Sequence, residues 1–419
     1  MDRLLVYADF DWLEVPALVG TLGYESLRGS ASFCFEFDQQ WLTRYNGFIL
    51  SADLNNYKGM QFTAPGAHIF GCFSDALPDR WGTTLLKRRE QLLAHAENRA
   101  TRFLSSFDLL TGIDDISRIG GFRFKRSGDD EFINCDPTLR VPPITDLRQL
   151  LAASLEVERC EILNILPENR WLQQLIHPGT SLGGSRPKAC VTDEYGALYV
   201  AKFPSRNDDY DVALWEHHSH LLAKKAGIHV AETKALVTDA KYHTLLSKRF
   251  DRSVDGKRKH FASALTLLGL SDGCNAQNGH GYLDIVDFII SGCRDVDANL
   301  EELYRRVVFN ICIANSDDHF RNHGFLLTKR GWTLSPAYDL NPTLNNEQSL
   351  LINADTNSAD LRILLKSCDD YYLSATKAQQ IVDEVLTGIS CWREYALRLG
   401  IAKREIEMFA PVYERNLKR

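Results

Sequence analysis

No apolar run in the 419 residues approaches the roughly 18 that span a bilayer, which excludes a transmembrane helix and gives no sign of a membrane partner. The opening stretch, MDRLLVYADFDWLEV, carries acids inside its apolar part and has no cleavage-site pattern, so no signal peptide is expected. There is no C-x-x-C pair among the ten scattered cysteines. A chain of this length needs no disulfide staples, so free thiols in a reducing cytoplasm are expected, and neither a disulfide framework nor a structural zinc site. There is no excess of basic charge either: 48 Lys and Arg stand against 55 Asp and Glu, a formal charge of −7. Bulk electrostatics therefore do not suit nucleic acid, and any contact with DNA would be indirect, through a local patch or a partner. Internal repeats, low-complexity segments and the phosphate-binding signatures G-x-G-x-x-G and G-x-x-x-x-G-K-[ST] are all missing.

What remains is the composition of an ordinary globular protein, 44% hydrophobic and 25% charged. The first 50 residues read as short strands, LLVYADF, ALVGTLG and ASFCFEF, followed by a helix-like QQWLTRY. Residues 73–110 read as helical, capped at Ser74 or Asp79, with Trp81, Leu85 and Leu86 turned to a core. A strand-like GGFRFKR precedes a polar, proline-bearing stretch at 127–146, the best domain boundary. Beyond it, 146–176 reads as helix and 187–203 as a hairpin about an Asp-Glu-Tyr-Gly turn. A helix is expected over 209–226, ending at Gly227, and strands at 234–238 and 243–250. From about 282 the chain is chiefly helical apart from a hairpin at 324–338. A β-rich lobe thus precedes a helical lobe, with an additional N-terminal domain ahead of both.

The chemistry concentrates in residues 310–341, NICIANSDDHFRNHGFLLTKRGWTLSPAYDLN. Asp317 and Asn322 stand as D-x-x-x-x-N; a short hairpin through Lys329, Arg330 and Gly331 then leads to Asp339. Phosphoryl transfer of the protein-kinase kind needs this set: an Asp to take the substrate hydroxyl proton, an Asn five residues on for Mg²⁺, and a second Asp opposite them. An alternative takes Asp317, Asp318, His319 and His323 as a metal-hydrolase site, although Gly324 breaks the helix such a site would use. Upstream, Leu198, Val200 and Lys202 share one face of the strand LYVAKF, which puts a lysine on an apolar surface. There it is able to pair with ATP phosphates, with Glu216 of the next helix to orient it, or simply to snorkel. The loop GTSLGGSRPKA, with Gly183, Gly184 and Ser185, offers backbone N–H groups to phosphates, and Lys188 adds charge.

These segments carry a resemblance. SLGGSRPKA, YVAKF, LLSKRFDR, NSDDHFRNHGF and SPAYDLNP, in that order and together with LVGTL, FSDALPDRWG and ISRIGGFRF, resemble the HipA family of serine/threonine kinases over nearly the whole chain. The resemblance implies an α+β fold: a protein-kinase-like two-lobed core, β-rich lobe plus helical lobe, behind an extra N-terminal β-rich subdomain. The expected division is 1–130 for the N-terminal subdomain, 146–252 for the β-rich lobe and 253–419 for the helical lobe. It further implies Asp317 as catalytic base, His319 shaping its loop, Asn322 and Asp339 as Mg²⁺ ligands, and Lys202 with Glu216 at the ATP phosphates. Lys248 and Phe250 of LLSKRF would lie near the adenine. Ser181 matches a serine that family members autophosphorylate, and Ser185 offers a second hydroxyl in the same loop. A phosphate there would compete with those of ATP. The implied partners are a helix-turn-helix antitoxin (HipB-like) and a protein substrate, an aminoacyl-tRNA synthetase such as the glutamyl enzyme. The motif Tyr338-Asp339-Leu340 lacks the glycine of D-F-G, and there is no H-R-D.

Other readings stand beside this one: a kinase-fold binding or co-repressor module without catalysis, and a small-molecule phosphotransferase with the same Asp-Asn-Asp layout. His217, His218 and His220 read as a solvated helix face. The basic run KRFDRSVDGKRKH at 248–260 reads as a solvated turn between strands.

Overall fold

The computed structural model describes residues 2–27, 30–135, 141–176, 184, 186–238 and 240–417. The chain packs as two compact units, Met1–Asn207 with Leu246–Ala262, and Asp208–Leu245 with Ser263–Arg419. The polar stretch at 127–146 lies inside the first.

The first unit opens on a five-stranded antiparallel sheet, in the order Met60–Phe62, Ser30–Phe37, Ala17–Leu27, Asp2–Ala8, Phe122–Arg126. Alternation decides which face is buried: Leu4, Val6 and Ala8 of the fourth strand, and Phe122 and Phe124 of the fifth, all point into the core. Asp38 caps the helix Gln39–Tyr45 by accepting from the Gln40 and Trp41 amides at 2.8 and 3.3 Å. Where one helical stretch was expected over 73–110, the chain forms Gly71–Ser74, Arg80–Ala96 and Ser106–Thr111, the last opened by a Ser105–Asp108 capping box. Asp79, not Ser74, is the cap that matters.

Later in the same unit come the helices Leu147–Leu163 and Asn169–Ile176 and the hairpin Lys188–Thr192 with Leu198–Lys202. The hairpin register sets Lys188 opposite Lys202. Its turn is closed by Asp193, whose side chain accepts from the Tyr195 and Ala197 amides at 3.0 and 2.9 Å. Leu198, Tyr199, Val200 and Ala201 are all buried, so the strand is covered on both faces, not on the single face expected.

The basic run at 248–260 is also unlike its expectation. Arg249, Asp251 and Arg258 are buried and Arg252 half-buried. Asp251 Oδ2 takes Arg249 at 2.7 Å and Arg252 at 2.6 Å, while Asp115 Oδ2 takes Arg258 at 2.9 Å and Arg123 at 2.6 Å. Arg249 also donates to the Ser117 and Arg118 carbonyls. Burial pushes the Asp251 carboxyl up, yet Arg249 and Arg252 hold it well below the usual carboxylate range. The counter-charge comes partly from more than 100 residues away, which no local reading of a basic run reveals.

The second unit is mostly helical. Its longest helix, Val296–Ile313, is buried almost all round, with Leu300, Leu303, Tyr304, Val307, Val308 and Ile311 in the core. Helix Val212–Lys225 is capped by Asp211, which accepts from Leu214 N at 3.1 Å. Helix Ala375–Ile389 passes close to its end: a Cβ on Gly388 would lie 2.6 Å from Ala226 Cα, so only glycine fits. The three histidines are not on a solvated face. His218 and His220 are buried and His217 half-buried, with ring nitrogens on Trp392 O (2.8 Å), Ala231 O (3.1 Å) and Thr233 Oγ1 (2.8 Å) respectively. Desolvation lowers His218 to about 4.

All ten cysteines are free thiols. Among the described residues no helix is long and apolar enough to cross a membrane.

Candidate active site

In the second unit, helix Val296–Ile313 stops at Ala314, which turns left-handed at φ 50°. The loop that follows carries Asp317, exposed, and Asp318, buried. His319, half-buried, opens the 3-10 turn Phe320–Asn322 and accepts from Asn322 N at 2.8 Å. The hairpin Gly324–Thr328 with Gly331–Leu334 then folds the chain back. Its return is pinned at two points. Ser335 N donates to Gly324 O at 2.8 Å, and the buried Arg306 donates to Ser335 O at 2.7 Å.

Three contacts then close the hairpin's far end onto the loop. Tyr338 Oη donates to Arg321 O at 2.5 Å, tying the residue before Asp339 to the residue before Asn322. Thr343 donates to Ala314 O through its amide (3.0 Å) and its hydroxyl (2.8 Å). Ser316 Oγ meets Thr343 Oγ1 at 2.8 Å. Asp317, Asn322 and Asp339, 22 residues apart in sequence at the extremes, are thereby carried by one hydrogen-bonded loop assembly. Asp339 itself adopts φ 59°, a left-handed conformation uncommon for a non-glycine residue.

The donor chemistry fits a hard cation. Asn322 Nδ2 donates to Asp317 O at 3.2 Å, which fixes the amide and directs its Oδ1 to the other side. Asp339 adds a carboxylate whose Oδ1 accepts from Asn341 Nδ2 at 3.0 Å. One carboxylate and one amide oxygen suit Mg²⁺, whose remaining positions phosphate oxygens and water complete. The hydrolase alternative is not assembled. Among the described residues no three His, Cys, Asp or Glu side chains form a metal cage, and His323 faces Asp318 inside the protein.

Asp318 is the residue the sequence reading undervalued. Its Oδ2 accepts from Tyr282 Oη (2.7 Å), Asn310 Nδ2 (2.7 Å) and His323 Nε2 (2.8 Å). Burial pushes its carboxyl up, but the His323 charge and these hydrogen bonds outweigh that and hold it below its ordinary value. Burial and the Asp318 charge push the Tyr282 phenol well above its own. The Asp-Asp doublet was visible in the sequence; Tyr282, 36 residues upstream, had no signal at all.

The remaining candidates stand on other elements. Lys202 and Lys248, both half-buried, end the strands Leu198–Lys202 and Thr244–Lys248. Phe250 is half-buried, its ring 5.9 Å from that of Phe261. Lys188 is committed inward: its Nζ lies 3.0 Å from Asp79 Oδ2, both side chains almost fully buried, and its carbonyl accepts from Trp81 Nε1 at 3.0 Å. Gly184 is exposed at φ 89°, where a Cβ would meet Lys188 Nζ at 3.1 Å. Glu216, in the second unit and not in that of Lys202, is buried with His220 Nε2 at 3.9 Å. Ser181, Gly183 and Ser185 lie outside the described residues.

Comparison with known proteins gives this arrangement a lineage. A curated relative, the serine/threonine-protein kinase toxin HipA of Shewanella oneidensis, is 25% identical over 224 residues, 47% of this chain and 50% of its own. A second, from Haemophilus influenzae, is 26% identical over 204 residues, 44% of this chain and 57% of its own. The chain thus spans about half the length of the curated relatives it matches. Among solved structures, HipA from the Shewanella oneidensis toxin–antitoxin complex with HipB and operator DNA superposes with a TM-score of 0.69 at 18% identity, covering 99% of this chain and 96% of that one. The α+β fold expected from the sequence is the fold of that chain. The family model of the HipA-like C-terminal domain matches residues 180–392, half of the chain, including the whole loop-and-hairpin assembly. The chain belongs to the HipA-like family.

Proposed function

We propose that the chain is a Mg²⁺- and ATP-dependent serine/threonine protein kinase and the toxin of a toxin–antitoxin pair. The observation that carries this reading is the tie from Tyr338 to Arg321, which sets Asp339 beside the turn that ends at Asn322, in the loop that carries Asp317. Asp317, exposed at the head of the loop, accepts the proton of a serine or threonine hydroxyl as its oxygen attacks the γ-phosphorus. The new O–P bond forms as the bond to the β-phosphate oxygen breaks, and ADP leaves. Asn322 and Asp339 hold the metal, which when bound neutralises phosphate charge. Lys202 serves the phosphates, and Lys248 and Phe250 the adenine.

The kinship with a kinase toxin supports the activity. The neighbour seen with HipB and operator DNA supports a helix-turn-helix antitoxin as partner, with DNA reached only through it. The substrate is a translation component in the cytoplasm, an aminoacyl-tRNA synthetase such as glutamyl-tRNA synthetase, and Ser181 or Ser185 is the autophosphorylation site. Intact-mass spectrometry after incubation with Mg-ATP tests this directly. A gain of one phosphate in the wild type and none in Asp317→Asn is expected; equal gain in both would overturn the site, and no gain even with the synthetase present would overturn the activity.

A further inference from the structure

The geometry points to Asp318 as the positioning residue of the phosphoryl-transfer site, a buried anchor that sets the direction of its neighbour Asp317. The inference rests on the kinase reading above. Three donors converge on one Asp318 oxygen, and each comes from a different part of the second unit. Tyr282 is the first residue of helix Tyr282–Gly292. Asn310 lies in the last turn of Val296–Ile313. His323 joins the 3-10 turn to the hairpin. A carboxylate this deeply buried is tolerated only when fully hydrogen-bonded, so its place is tightly defined.

The consequence falls on the adjacent residue. Asp318 points inward and Asp317 outward, so the backbone between them is held by the inner carboxylate. On the outer side Asn322 Nδ2 grips the Asp317 carbonyl at 3.2 Å. The same hub extends further: Asn315 Nδ2 donates to Asn310 Oδ1 at 3.2 Å, so the residue that binds Asp318 also steadies the start of the loop. The Tyr282 ring stands edge-on to His323 at 5.6 Å and blocks the histidine from turning away. None of Asp318, Tyr282, Asn310, Asn315 and His323 is needed to touch substrate. Their joint effect is to leave the base one orientation, and supporting residues of this kind typically change rate more than affinity.

The test uses the full chain with Asp318→Asn and the milder Tyr282→Phe, which removes one donor and keeps the ring. For phosphoryl transfer, Asp318→Asn should lower kcat by about 10–100-fold with the ATP KM within about twofold. Tyr282→Phe should move kcat the same way by less. Amide exchange over 315–322 should quicken in both, with the rest of Val296–Ile313 unchanged. Unaltered kcat in both variants, KM rising in step with falling kcat, or exchange quickening evenly across the unit would each overturn the inference. If Asp318→Asn does not fold, Tyr282→Phe decides. If the wild type transfers no phosphate, the kinase reading fails by itself, and the exchange pattern alone decides whether Asp318 anchors the loop.

Discussion

Replacing Asp79 by asparagine separates two jobs that one carboxylate performs. Asp79 Oδ1 caps helix Arg80–Ala96 through Gly82 N at 2.7 Å, and Oδ2 pairs with Lys188 Nζ at 3.0 Å. Asparagine caps a helix as well as aspartate does, so the cap survives. The ion pair does not. Both side chains are almost fully buried, at 1% and 3% exposure, so solvent cannot take over, and breaking such a pair costs about 3–5 kcal/mol. For a unit of this size a loss of about 3 kcal/mol lowers the melting midpoint by about 6–12 °C. Adding Lys188→Met removes the buried charge that Asp79 faces, and the double variant should return to within about 1 kcal/mol of wild type. Differential scanning calorimetry with urea titration measures both. A single variant that loses less than about 1 kcal/mol, or a double variant no better than the single, would refute the argument. The double variant also tests Lys188 as a phosphate ligand: restored stability with an ATP KM raised tenfold would place it at the nucleotide as well.

Other outcomes follow from the same structure. Asp317→Asn should lower phosphoryl transfer by about 10²–10⁴-fold, the usual contribution of a positioned base, read by radiolabelled ATP; retained activity would remove Asp317 from that role. Lys202→Ala should raise the ATP KM and leave the circular dichroism spectrum unchanged, whereas an unfolded variant would mean a structural lysine. Burial holds His218 near 4, below the ordinary 6.5, so the unfolded chain binds a proton first as pH falls. Stability should therefore drop between pH 6.5 and 4, visible in urea midpoints, and His218→Gln should flatten that slope; identical slopes would show the shift is absent. Glu90 behaves as a depressed carboxylate, held at about 2 by Arg99 and the Arg102 amide. Its stabilisation is present above pH 4.5 and lost as pH falls towards 2, so Glu90→Gln should be less acid-sensitive than wild type in that range.

Short-range periodicity made much of the fold legible. The strands Asp2–Ala8 and Phe122–Arg126 alternate, helix Val212–Lys225 lies within the expected 209–226 and stops before Gly227, and the hairpin turn at Asp193–Gly196 has its own side-chain signal. The spacing of the candidate groups from Asp317 to Asn322 and on through the hairpin to Asp339 was legible for the same reason. Its parts lie within 23 residues and are joined by local turns. Of the two breaks in 73–110, the one at 97–105 carries no proline or glycine to announce it, whereas Pro78 marks the one before Arg80.

What sequence alone determined, then, is the inventory of candidate groups and their order along the chain, since loops and hairpins are short-range objects. Tertiary structure decided which charges are buried and whom they face. It turned the arginines of 248–260 inward to Asp115 and Asp251, gave Lys188 to Asp79, took His218 and His220 out of solvent, and made Asp318 the hub beneath Asp317. Arg258 with Asp115, and Lys188 with Asp79, join residues more than 100 positions apart, a separation that says nothing of their distance in space. A buried charge is stable only beside its partner, and that partner appears only when the chain has closed.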